Sequence, residues 1–165
     1  MKRLFSTALA VSAAIAIGPD AFKSMAQLCL ENGFYSESYT AVTKDGYVLG
    51  ISRIPGKFKD TQNQKKPVVL FMHAQDCDMM EYVSNEVSVA PAFVLAELGY
   101  DVWFGNNRGS KFSNQHVELD NKSRAFWDFY QEDMARQDLP TIIDFVLSAT
   151  GQQNLTYVGH SEGTT

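Results

Sequence analysis

Apolar and polar positions fall into blocks along the chain, and each block has the period of one kind of element. Phe22, Met25, Leu28 and Cys29 stand at helical spacing between Ala21 and Asn32, ahead of Gly33, and predict a short helix. Two β-prone runs, Tyr39 to Val42 and Tyr47 to Ser52, flank Lys44-Asp45-Gly46, which predicts an antiparallel hairpin because a tight turn favours Asp-Gly. Residues Pro55 to Pro67 are polar and without periodicity, the pattern of a surface loop. Pro67-Val68-Val69-Leu70-Phe71-Met72 is apolar throughout, as a central strand covered on both faces must be. Ala90 to Leu98 reads as a helix opened by Pro91 and closed by Gly99. Tyr100 to Phe104 is the next strand and runs into the turn-rich segment Gly105-Asn106-Asn107-Arg108-Gly109.

The pattern from Arg124 to Ala149 is helical in two pieces, because Pro140 lacks a backbone donor and biases Leu139 away from the helical region. Leu139, Ile142, Ile143, Val146 and Leu147 form an apolar stripe suited to lie on a sheet, and Gly151 ends it. Leu155-Thr156-Tyr157-Val158 is a further strand. Strands and helices alternating in this way predict an α/β fold with a mostly parallel sheet, flanking helices and an N-terminal antiparallel hairpin, in one domain from residue 21 to 165.

Composition adds constraints on where this domain works. Lys2 and Arg3 precede an apolar run from Leu4 to Ile17, with Ala14-Ile15-Ala16 offering small residues for cleavage, so residues 1–17 read as a secretory signal peptide. The run, interrupted by Ser6, Thr7 and Ser12, falls short of the ~20 apolar residues that span a bilayer, and no transmembrane segment is expected in the mature chain. The net charge of −5 leaves no basic field for a polyanion, so nucleic acid is not an expected partner. Cys29 and Cys77 have no spacing for a metal or redox site, and a bridge and two free thiols both stay open. Asn121-Lys122-Ser123 and Asn154-Leu155-Thr156 are glycosylation sequons consistent with export. The pattern sets no oligomeric state.

The chemistry concentrates at Gly159-His160-Ser161-Glu162-Gly163, a G-x-S-x-G sequence directly after a strand. A serine thrust out by so tight a turn needs strained dihedrals, and glycine two positions to either side relieves crowding. The turn also brings the amide of Glu162 to a helix N-terminus, where negative charge is favoured. A serine nucleophile needs a histidine base, itself held by a carboxylate. His160 is read as packing under the turn and His116 as a solvated loop residue, so neither serves as base. His73-Ala74-Gln75-Asp76, after the strand ending at Met72, offers the amide of Gln75 as a second oxyanion donor, with His73 either part of that loop's function or a hydrogen-bonded core residue.

Taken together these segments resemble the acid lipase family, the gastric and lysosomal type of α/β-hydrolase. The resemblance runs through Glu31-Asn32-Gly33-Phe34, Val42 to Leu49, Arg53-Ile54-Pro55, Pro67-Val68-Val69 with His73, Leu98 to Trp103 and Gly105 to Gly109. It continues through Phe126 to Phe129, Asp133-Met134-Ala135, Asp138-Leu139-Pro140 and Tyr157 to Thr165. It implies hydrolysis of triacylglycerols or cholesteryl esters at a lipid-water interface, in a secreted or lysosomal setting, without metal or organic cofactor. It also implies that Ser161 is the nucleophile, that the amides of Gln75 and Glu162 bind the oxyanion, and that the triad Asp and His lie beyond Thr165. The 165 residues alone are therefore expected to be inactive.

Two substitutions depart from the family pattern. Ala74 stands where the family has Gly and would strain the loop if its φ were positive, and Glu162 replaces Gln and brings a carboxylate near the developing oxyanion. These departures keep two other readings open: a lipid-binding product without catalysis, and a carboxylesterase for short acyl chains.

Overall fold

The hairpin forms where the Asp-Gly turn lets it. In the computed structural model, which describes Asp20, residues 22–60 and residues 65–164, β1 (Glu37–Val42) and β2 (Tyr47–Ile54) pair antiparallel, with Val42 opposite Val48 and Glu37 opposite Arg53. Gly46 holds φ +96° in the turn, a conformation open to glycine and costly for a residue with a Cβ. The expected signal peptide, 1–17, lies outside the described residues.

The expected first helix is shorter than its apolar spacing. It is α1 (Met25–Glu31), because Ser24 caps it: the Gln27 amide donates to Ser24 Oγ and the Ser24 amide to Gln27 Oε1, which fixes the start at Met25. The strand β3 (Val68–Met72) is buried at all five positions and is paired on both sides within the sheet. Helix α2 (Pro91–Glu97) then leads into β4 (Asp101–Gly105), parallel to β3, and Gly99 between them holds φ +90°.

A two-residue strand, β5 (Gln115–His116), pairs with β2, and β6 (Thr156–Gly159) lies parallel to β3 on its other side. The order β1-β2-β4-β3-β6 gives a mixed sheet: β4, β3 and β6 are the parallel part, and the hairpin joins it antiparallel through β2 and β4.

Alternate residues of the central strands feed two cores. Val69, Phe71, Val102 and Phe104 face α1 and α2, while Val68, Leu70, Met72 and Trp103 face Ile142 and Val146 of the long helix α4 (Leu139–Thr150). Each fully buried large side chain contributes about 1.5–3 kcal/mol, so both layers hold the sheet in place. Gly151 caps α4 in the left-handed conformation.

The approach to α4 differs from the expected break at Pro140. Leu139 is helical, with φ −58° and ψ −49°, and the chain runs from α3 (Gln131–Asp133) through a π-helical segment, Met134–Asp138, directly into α4. Pro140 cannot donate to the carbonyl four residues earlier, and its ring would crowd that carbonyl. Widening the preceding turn accommodates both without ending the helix. The N-terminal part of the expected helix is instead a separate 3-10 turn, Arg124–Trp127, capped by Ser123.

Candidate active site

At the end of β6 the chain reverses within one residue. Ser161 has φ +49°, one of two non-glycine residues with positive φ among those described, a conformation that costs roughly 1–2 kcal/mol. The turn tolerates nothing larger than glycine on either side: a Cβ on Gly159 would sit 2.1 Å from the carbonyl oxygen of Gly163, and one on Gly163 would sit 2.5 Å from that of Met72. Ser161 opens a 3-10 turn, Ser161–Thr164, and its side chain is exposed. Three bonds brace this bend. The Gly163 amide donates to the His160 carbonyl at 2.9 Å, the Thr164 hydroxyl donates to the Ser161 carbonyl at 2.6 Å, and the Tyr157 hydroxyl donates to the Gly163 carbonyl.

The loop after β3 is tied to the same bend. The Met72 carbonyl accepts from the His160 amide at 3.1 Å and from the Tyr82 hydroxyl at 2.8 Å, so the last residue of β3 anchors the turn after β6. His73 is buried, with Nε2 3.0 Å from the Asn107 amide and Nδ1 2.8 Å from the Ala74 carbonyl. Because an amide can only donate, Nε2 accepts, and the ring proton therefore sits on Nδ1 and is given to Ala74. The Cys77 amide donates to that carbonyl as well. A trans peptide sets its N–H opposite its C=O, so pinning the Ala74 carbonyl from two sides directs the Gln75 amide away from His73.

His73 is thus both a core residue and the clamp of the loop. Ala74 does not carry the left-handed backbone that would have strained it; that conformation falls on Asp76, at φ +58°, and aspartate tolerates it better than most residues. Gln75 and Glu162 line one cleft of about 450 Å³, together with His73, Asn107, Trp127 and Phe129.

The floor of this cleft rests on an ion pair that sequence reasoning missed. Arg108, in the loop after β4, is buried and donates from its backbone, Nε and Nη2 to the fully buried carboxylate of Asp138 at 2.8, 2.9 and 2.7 Å. Nη1 and Nη2 also reach Asp45 in the hairpin turn at 2.7 and 3.1 Å, and the guanidinium stacks on Tyr47, 4.0 Å from its ring centre. Burial works against the charge on Arg108, yet the hydrogen bonds to Asp138 and Asp45 outweigh it and hold its pKa above the ordinary value. One side chain therefore fastens the β4 loop to the start of α4 and to the hairpin. The only signal in the sequence was an arginine among turn formers and an aspartate before Leu139-Pro140, thirty residues apart.

A strand, a tight turn with a positive-φ serine and a following helical turn, at the C-terminal edge of a parallel sheet, is the frame of one fold family. A profile described as "alpha/beta hydrolase fold" matches residues 67–165, and another, described as "Partial alpha/beta-hydrolase lipase region", matches residues 25–86. The chain belongs to the α/β-hydrolase family. Its curated relatives include the gastric triacylglycerol lipase of Mus musculus, 42% identical over 89% of this chain and 38% of that protein. The lysosomal acid lipase/cholesteryl ester hydrolase of Macaca fascicularis is 40% identical over 91% of this chain and 38% of its own. The chain thus spans less than two fifths of the length of these relatives. Among solved structures, an esterase from Pyrococcus furiosus shares the fold with a TM-score of 0.57 at 15% identity, over 93% of this chain and 49% of that one.

Other residues singled out in this α/β-hydrolase chain find different places. His160 does not pack beneath the turn: its side chain is 65% exposed and its Nδ1 lies 3.3 Å from Glu81 Oε2. His116 is not a solvated loop residue but part of β5. Its Nδ1 accepts from the amides of Glu118 and Leu119, its Nε2 donates to the Asp45 carbonyl at 2.8 Å, and its ring meets Tyr47 edge-on, so it fixes a turn. Of the two sequons, Asn154 is exposed, whereas the Asn121 side chain donates to the Asn114 carbonyl. Among the described residues no group of three or more potential ligands could hold a metal, and no helix is long and apolar enough to cross a membrane.

The cysteines are free, Cys29 on the buried face of α1 and Cys77 exposed. Burial pushes the Cys29 thiol up to about 12, which removes the thiolate that a thiol reagent needs. Native protein treated with Ellman's reagent should be modified at Cys77 and spared at Cys29, with both reacting in denaturant. Peptide mapping that finds Cys29 modified at a comparable rate in native protein would refute this packing of α1.

Proposed function

We propose that the full-length protein is a serine hydrolase of lipid esters, exported to the secretory pathway and either secreted or lysosomal, with Ser161 as its nucleophile. The observation that carries this reading is the strained, exposed Ser161 at a turn where neither flanking glycine admits a Cβ. Proteins retain such strain where the displaced side chain has work to do. Ser161 Oγ forms a bond to the ester carbonyl carbon and gives its proton to a histidine base. The resulting oxyanion is held by the amides of Gln75 and Glu162, which share one cleft. Collapse expels the alcohol with the proton returned from the base, and water then cleaves the acyl-enzyme by the same steps in reverse. The family resemblance puts that histidine and its aspartate after residue 165.

The names of the relatives, a triacylglycerol lipase and a cholesteryl ester hydrolase, support triacylglycerols or cholesteryl esters as the substrate class, met at a lipid-water interface. Trp127 and Phe129 give the cleft an apolar wall beside the two amides, as an acyl chain would require. That Ala74 is not in a positive-φ conformation favours a working oxyanion loop over a lipid-binding product without catalysis. The exposed Asn154 is the sequon better placed to carry a glycan. A fluorophosphonate probe should label the full-length protein covalently on the peptide containing Ser161. A folded full-length protein that fails to label there would remove the proposal.

A further inference from the structure

Glu162 poses a problem for the chemistry just described: its amide is a donor to the oxyanion, yet its side chain brings a negative charge to the same residue. The structure contains an answer on a different element. Gln131, the first residue of α3, donates from Nε2 to Glu162 Oε1 at 3.1 Å. Both residues line a small cavity with Met72, Asn107, Tyr157 and Gly163, whereas the larger cleft that holds Gln75 is lined by Glu162 and not by Gln131. The bond therefore draws the carboxylate toward the small cavity.

We propose that Gln131 is a positioning residue that holds the Glu162 carboxylate against α3, so that the amide of Glu162 faces the developing oxyanion without its own side chain's charge. The proposal rests on the serine hydrolase reading of Ser161. The anchor is firmly placed: α3 runs through the π-helical segment to α4, and Asp138 at that junction is locked to Arg108. The acidic neighbours of Gln131 are engaged elsewhere. Glu132 pairs with Arg136 at 2.6 Å, and the Asp133 carboxylate accepts from the Tyr130 amide at 2.9 Å. What faces Glu162 from the head of α3 is thus a neutral amide donor, which fixes a carboxylate by direction without needing a cation.

The test uses the full-length protein and a soluble p-nitrophenyl ester. Gln131 is exposed, so Gln131→Ala should fold normally by circular dichroism and thermal melting. It should lower kcat roughly ten- to hundredfold, as a negative charge less firmly held away from the oxyanion does, with KM changed by less than about twofold. The double variant Gln131→Ala/Glu162→Gln should regain most of that loss, because the side chain at 162 no longer carries charge. Gln131→Lys, which keeps a donor, should stay well above the alanine variant. An unchanged kcat in Gln131→Ala, a double variant as slow as the single, or a lysine variant as slow as alanine would each overturn the proposal. Ser161→Ala in the same assay separates the two claims. If it retains turnover the hydrolase reading falls, and if it is inactive while Gln131→Ala matches the parent, only the role of Gln131 falls.

Discussion

Ser161→Ala in the full-length protein should abolish ester turnover, lowering kcat/KM by on the order of 10⁴-fold or more, while the protein melts within a few degrees of its parent. The rate loss is large because the bend presents one side chain at its apex, and nothing adjacent can take its place. The Thr164 hydroxyl is committed to the Ser161 carbonyl, and His160 turns outward toward Glu81. Stability should barely move, because alanine suffers the same strain at φ +49° as serine does, and the exposed hydroxyl is not needed to hold the turn. The glycines behave in the opposite way. A methyl group at Gly163 meets the Met72 carbonyl of the neighbouring strand, so damage there reaches the fold first and the rate only through it. Residual turnover above about one per cent in a folded Ser161→Ala protein would place the nucleophile elsewhere.

The parts of this molecule that were legible in the sequence are those governed by local pattern. The hairpin follows from its Asp-Gly turn between two β-prone runs, the doubly covered strand β3 from an unbroken apolar run, and the stripe of α4 from apolar side chains at every third and fourth residue. The G-x-S-x-G turn was legible for a related reason, since its steric demands fall on residues two positions away. Longer-range causes were hidden. Pro140 was expected to break the helix, but the chain had the alternative of a wider turn upstream, and packing of Ile142 and Val146 against the sheet favours keeping α4 continuous. The strain anticipated at Ala74 lies instead at Asp76, because the clamp of His73 on the Ala74 carbonyl sets the loop's path. His160 was misplaced because its side chain reaches Glu81, 79 residues earlier in the chain, a contact that no local pattern encodes.

The buried pair of Arg108 and Asp138 was the largest omission, and its removal should be correspondingly severe. Arg108→Met should cost about 3–5 kcal/mol of stability, read as a fall in the urea midpoint with an unchanged slope. The cost arises less from the lost attraction than from what remains: Asp138, fully buried, loses both guanidinium donors and the charge that balanced it, and keeps only the backbone amide of residue 108. Asp45, with its side chain 41% exposed, can turn to water and contributes little to the loss. Two comparisons distinguish this from a packing defect. Asp138→Asn should be milder, because an amide oxygen still accepts from the Arg108 backbone and the guanidinium keeps Asp45. Arg108→Met/Asp138→Leu should recover much of the loss, because it leaves no buried charge unpaired, although the loop then loses the fork that orients it. The double variant should therefore be more stable than Arg108→Met and still slow in turnover, since Asn107 and Gly109, on either side of Arg108, line the cleft with Gln75 and Glu162. A midpoint for Arg108→Met equal to that of the parent would mean that the hairpin, the β4 loop and α4 are held together without this side chain.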